Sequence, residues 1–161
     1  MKRHLLFIVL LLSVVLIACT TKCPPLTDAQ KADFEKQTQE LTNRMNNLAE
    51  KGDVANWSDL ISSDNFLGWC GGGTIYQSKD VLIDTISAAF DRRKSLEIGQ
   101  RKFEVTVLSE DIVLVDRVSV NQVEYKNGQS RRSNSVISYL FRKEATGWKV
   151  IHVHESGSLI P

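Results

Sequence analysis

The chain has 161 residues, of which 24% are charged and 42% apolar, and a net charge of +1. With 20 basic against 19 acidic residues, it has no basic excess to recruit nucleic acid. The part expected to fold, about 140 residues, amounts to one domain.

The first predicted element is a processing segment. "MKRHLLFIVLLLSVVLIAC" opens with Lys2 and Arg3 and runs apolar from Leu5 to Ala18, broken only by Ser13. A positive start followed by an apolar stretch too short for a comfortable bilayer span reads as a signal peptide. Its end, "LIAC" from Leu16 to Cys19, resembles the lipobox of bacterial lipoproteins: Leu at −3, a small residue at −1, then Cys. The resemblance implies removal of residues 1–18 and lipidation of Cys19, which would anchor the protein stably in a membrane. Thr20 stands where an Asp often marks inner-membrane retention, so the expected location is the outer membrane, facing the periplasm. Removing Lys2 and Arg3 leaves 18 basic residues against 19 acidic ones. Cys23 and Cys70 are then the remaining thiols. An envelope location permits a bridge between them, and two unpaired thiols are an equal alternative.

Residues 19–26 read as a lipidated tether, with Pro24 and Pro25 blocking any helix from running back toward the membrane. The domain is expected over residues 27–161. "TDAQ" (27–30) is a capping box that predicts a helix to about Glu50, with Phe34, Leu41, Met45 and Leu48 on one stripe. Gly52 suits its left-handed end, and Asp53 caps a short helix that turns Val54, Trp57, Leu60 and Ile61 inward. "DNFLGWCGGGTIYQ" (64–77) predicts two short strands around glycines 71–73. A third helix follows over 78–93, with Ser78 as cap, Asp80 at its positive end, and Val81, Leu82, Ile86, Ala89 and Phe90 inward.

Beyond residue 100 the period becomes two. Phe103, Val105 and Val107 share one face. The strand "DIVLVDRVSVNQVEY" is apolar on both faces in its first half. Asn127-Gly128 signals a tight hairpin, "SRRSNSVISYLFRKE" follows, and "ATG" turns into "WKVIHVHES". Helices followed by a four-strand meander make an α+β class: three helices packed on a strongly curved, mostly antiparallel sheet, a cone with an internal pocket.

This order of elements resembles the nuclear transport factor 2-like superfamily. The last strand resembles the SnoaL-like group and the association domain of calcium/calmodulin-dependent kinase II, whose ending has the form W-x-x-V-H-(aromatic)-H-x-S-G. Trp148, Ile151, His152, Val153, His154, Ser156 and Gly157 stand in those places. The resemblance implies the cone fold and a pocket, and this superfamily often pairs through its sheet, so a homodimer is expected. Kinase association domains carry pocket arginines; at one such place this chain has Tyr139.

Three constellations carry possible chemistry. His152 and His154 share one strand face, read here as that of Trp148, Val150 and Ser156. Two imidazoles about 7 Å apart could hold a metal, act as acid and base, or simply line the pocket and support the fold. No third ligand is marked out by spacing, so no metal or cofactor is expected. Asp116 with Tyr139 resembles the carboxylate and tyrosine of ketosteroid isomerases, but no motif carries the family's catalytic Asp over. Asp116 and Arg117 must face opposite ways, and the sequence leaves open which looks in. Among Trp57, Trp69, Tyr76, Phe90, Phe103 and Tyr139, the pair Trp69 and Tyr76 are expected to line the pocket mouth. "GGG" lacks the Lys-Ser/Thr of a phosphate loop. The reading is a lipid-anchored ligand-binding or assembly module, with binding through Trp69, Tyr76, Arg117, Tyr139, His152 and His154. The alternative is a small-molecule enzyme using His152, His154, Asp116 or Tyr139.

Overall fold

The computed structural model describes residues 25–161, the side chain of Gln100 apart. The signal segment, Cys19 and Cys23, and with them any bridge to Cys70, lie outside the described residues. Helix α1 runs Asp28–Lys51. Its start is the expected capping box: Thr27 Oγ1 accepts from Gln30 N at 3.2 Å, and Gln30 Oε1 accepts from Thr27 N at 2.9 Å. Gly52, at φ 70°, closes it. The buried stripe, however, is Phe34, Thr38, Thr42, Met45 and Asn46, while Leu41 and Leu48 are only half-buried. Thr38 and Thr42 donate to the carbonyls four residues back at 2.8 Å each, so their burial leaves no hydroxyl unmet.

Helix α2 is one short piece, Val54–Ser58, capped by Asp53. Strands β1 (Gly68–Gly71) and β2 (Thr74–Tyr76) form the expected glycine-rich pair. Helix α3 spans Lys79–Arg92; Ser78 occupies the cap position without making a side-chain cap bond. Leu82 is fully buried and Val81 is 56% exposed, because Leu82, Ile86 and Phe90 set the inward face and Val81 lies one residue, about 100°, off it. Among the described residues, no helix is long and apolar enough to cross a membrane.

Strand β3, Arg93–Val107, starts directly after α3, seven residues earlier than the sequence pattern suggests. An irregularity between Gly99 and Lys102 resets its alternation, so the two halves do not read as one period-two run. Strands β4 (Ile112–Tyr125), β5 (Ser130–Glu144) and β6 (Gly147–Leu159) complete the meander. Gly128, at φ 85°, supplies the left-handed backbone that the tight β4–β5 turn requires. The sheet is open and six-stranded, in the order β2-β1-β6-β5-β4-β3. It is antiparallel except where β1 runs parallel to β6.

The concave face and the helices enclose the core. Val113 and Val115 on β4, Phe141 on β5, and Val150 and Val153 on β6 have no exposed surface. Toward the N-terminal end of α1 this core is shut by Phe34, edge-on to Trp148 at 5.3 Å, with Trp148 Nε1 donating to Gln37 Oε1 at 3.0 Å.

Candidate functional site

Along the concave face the residues turn from apolar to polar. Val113 and Val115 are followed on the same side of β4 by Arg117 and Ser119, both buried. In register, Arg117 lies opposite Ile137 of β5, and Ile137 opposite Glu155 of β6. The next row holds Ser119, Ser135 and Gly157. Arg117 and Glu155 therefore stand two strands apart on one face, about 10 Å between backbones.

Here the helices diverge from the sheet and leave a cavity of about 410 Å³, within the range of small-ligand sites. Its aromatic wall is Trp57, Trp69, Phe90 and Tyr139. The two indoles meet at 5.3 Å, Trp57 meets Phe90 at 6.4 Å, and Trp69 meets Tyr139 edge-on at 6.5 Å. Its polar groups include Asn46 from α1, Arg93, Arg117, Arg131, Ser135 and Glu155. A shallower concavity shares Phe90, Arg93 and Tyr125 with it and opens toward the Asn127–Gly128 turn.

Arg117, 2% exposed, donates from Nη1 to Asn46 Oδ1. Its guanidinium carbon lies 5.9 Å from the centre of the Tyr139 ring. The guanidinium carbon of Arg93 lies 3.7 Å from the centre of the Phe90 ring. Burial draws its guanidinium down to about 10, slightly opposed by Tyr125, which leaves it charged at neutral pH. Burial pushes the Glu155 carboxyl above the usual range, against the pull of Arg117. Ser135 pulls the same way without completing a regular hydrogen bond. Burial likewise pushes the Tyr139 phenol up, partly offset by Arg117. Strand β1 runs beside Glu155 in the sheet, and a Cβ added at Gly71 would meet its side chain at 3.4 Å, an ordinary van der Waals contact.

Buried side-chain nitrogen and oxygen atoms without a protein partner number four among the described residues: Asn46 Nδ2, Arg93 Nη2, Arg117 Nε and Ser135 Oγ. All four belong to residues lining this one cavity.

The residues singled out from sequence divide in two. Trp69, Arg117 and Tyr139 line the cavity, and Tyr76 packs at the edge of the core instead. His152 and His154 share a face, but not that of Trp148 and Val150. Phe141 pairs with Val150 and Leu140 with His152, so Ile151 is an extra residue on β6. The bulge inverts the alternation: Val153 and Glu155 go in, and His152 and His154 go out. His154 is exposed and His152 half-buried.

Asp116 also faces out, accepting from Ser138 Oγ at 2.5 Å. It is thus on the opposite side of the sheet from Tyr139, and that pair is not assembled. The outer face brings Asp116, Ser138, His154 and Cys70 into one row across β4, β5, β6 and β1. Among the described residues, no group of three His, Cys, Asp or Glu side chains is placed to hold a metal ion.

Sequence reasoning missed Asn46, Arg93 and Glu155. For Asn46 the signal was present: it continues the four-residue series Phe34, Thr38, Thr42 on α1. For Glu155 the bulge concealed it.

Known structures share this frame. A candidate dehydratase of the NTF2-like family from Streptomyces avermitilis superposes with a TM-score of 0.68 at 16% identity, over 78% of this chain and 96% of that one. A candidate scytalone dehydratase from Novosphingobium aromaticivorans gives 0.74 at 9%, over 82% and 89%. Hexachlorocyclohexane dehydrochlorinase LinA-type3 from Novosphingobium barchaimii gives 0.71 at 14%, over 84% and 94%. At such identities the likeness is one of fold. Among curated proteins nothing matches. The family model for the SnoaL-like domain matches residues 39–161, most of the chain and all of the sheet, and the protein belongs to that family.

Proposed function

We propose that this protein is an envelope lipoprotein, held through lipidated Cys19 at the outer membrane, whose SnoaL-like domain binds a small organic molecule without transforming it. The observation that carries the binding role is the convergence of all four unpartnered buried polar atoms on one aromatic-walled cavity. Such groups cost about 1–3 kcal/mol each when unmet, and a ligand that met them would recover that cost. The test is to extract the full-length protein in detergent and identify co-purifying small molecules by mass spectrometry. A compound retained by the wild type and lost from Arg117→Met supports the reading; identical profiles refute it. For the anchor, Cys19→Ser should abolish lipid labelling, and normal labelling would refute it. The outer face suggests a homodimer: Val118 and Val136, 47% and 43% exposed, pair in register on it. A monomer in analytical ultracentrifugation at micromolar concentration would exclude that assembly.

A second reading rests on Glu155, a half-buried carboxyl facing the cavity beside Tyr139 and pushed up by its surroundings. Carboxyls poised this way serve as acids or bases, and the similar structures include proteins named for eliminations. Conversion of a co-purified compound, lost in Glu155→Gln, would favour the enzyme. Of the four residues that the sequence suggests for it, Tyr139 lines the cavity, while His152, His154 and Asp116 stand on the outer face.

A further inference from the structure

We infer that the ligand of this cavity is an organic carboxylate, its anionic end held by Arg117 and Asn46 near Arg93 and its apolar body lying among Trp57, Trp69 and Phe90. The inference rests on the binding role proposed above and names the chemistry of what is bound.

The unfilled groups set the polarity. Three of the four are nitrogen donors, Asn46 Nδ2, Arg93 Nη2 and Arg117 Nε, and the fourth, the Ser135 hydroxyl, can donate too. The site therefore asks for acceptors. Two of the donors are adjacent, since Arg117 Nη1 already donates to the oxygen of the same Asn46 amide. That bond fixes the amide orientation and leaves its nitrogen free.

Charge separates an anion from a neutral acceptor such as a ketone or water. Arg117 is 2% exposed, yet it is in none of the ion pairs found among the described residues. The cavity lining carries three cations, Arg93, Arg117 and Arg131, against one acid, Glu155. A guanidinium kept out of water without a counter-charge is costly, and a planar carboxylate matches its fork of donors. The carboxylate of Glu155, two strands away with Ile137 between, feels Arg117 at a distance but makes no contacting ion pair with it. The remaining wall is aromatic and apolar, which suits an uncharged body.

The test uses full-length protein in detergent and matched probes: phenylacetate, 4-phenylbutyrate and hexanoate, each against its primary amide, by titration calorimetry. The acid of at least one pair should bind ten-fold or more tightly than its amide. Arg117→Met should erase that preference, and Glu155→Gln, which removes the competing negative charge, should strengthen acid binding several-fold. Circular dichroism checks that both variants fold; should Arg117→Met fail to, Glu155→Gln still decides. Amides that bind as well as acids, or a Glu155→Gln variant that weakens acid binding, would overturn the inference. A neutral co-purifying compound with no acid binding overturns it while leaving the binding role intact. Absence of any bound or titrated ligand removes both.

Discussion

The two faces of the sheet teach opposite lessons about conspicuous residues. The outer face gathers the letters that suggest chemistry, Asp116, Ser138, His154 and Cys70, in a single row. Yet none of them lines the cavity described above, and His154 is exposed. The inner face carries fewer such groups, but Arg117 is buried and Glu155 half-buried, at the end of a hydrophobic core. An imidazole in water is ordinary. A guanidinium at 2% exposure has to be explained, because a buried charge is retained only against a cost.

That contrast can be broken most severely at Val153. Val153→Asp puts a carboxylate where the side chain has no exposed surface and should cost about 4 kcal/mol or more, while His154→Asp, one residue on and exposed, should change stability by less than about 1 kcal/mol. Urea titration followed by circular dichroism should show the two midpoints far apart, and a native-like midpoint for Val153→Asp would mean that the bulge does not set the faces. Next is Arg117→Met. Replacing an unpaired buried charge by an apolar side chain of similar length should stabilise the ligand-free protein by about 1–3 kcal/mol. A lower urea midpoint would show that Arg117 supports the fold rather than a ligand.

A smaller effect follows from Glu155. Its carboxyl is held above the ordinary range in the folded protein, so the folded state binds the proton more tightly than the unfolded one. Its contribution is therefore favourable at low pH and is lost as pH rises from the ordinary carboxylate range through the folded value. Glu155→Gln should flatten that decline, with the variant gaining on the wild type as pH increases from 4 to 8. Parallel stability profiles would refute the assignment. The smallest effect should come from the outer face: His152→Ala with His154→Ala should shift stability by no more than about 1 kcal/mol and leave ligand retention unchanged. Loss of the ligand in that double variant would reverse the roles of the two faces.

Much of the fold was legible because it rests on local chemistry. The Thr27–Gln30 capping box, the Gly52 helix end and the Asn127-Gly128 turn each act within four residues, and each appears where expected. Less legible were the features that depend on counting across a strand. Irregularities in β3 near Gly99 and in β6 at Ile151 each insert a change of phase, and a period-two reading carries the wrong face past them. Strand β4 presented a different difficulty. "IVLV" is apolar on both sides, so its pattern could not say whether Asp116 or Arg117 looks inward. The neighbouring strands decide that: Val115 pairs with Tyr139 and Val105 on the buried side, and Arg117 follows in step. Asn46 escapes a hydrophobic-stripe reading because the buried face of α1 includes two self-satisfied threonines.

Helix α1 also acts as a ruler. Its first turns pack against Trp148 at the closed end of the core, and Asn46 reaches the cavity eighteen residues after Asp28. At 1.5 Å per residue that is about 27 Å. The sealed aromatic end of the core thus separates the start of the described chain from the cavity by the length of the helix. A change near residue 27 would have to be transmitted through α1 as a rigid rod to be felt at Asn46.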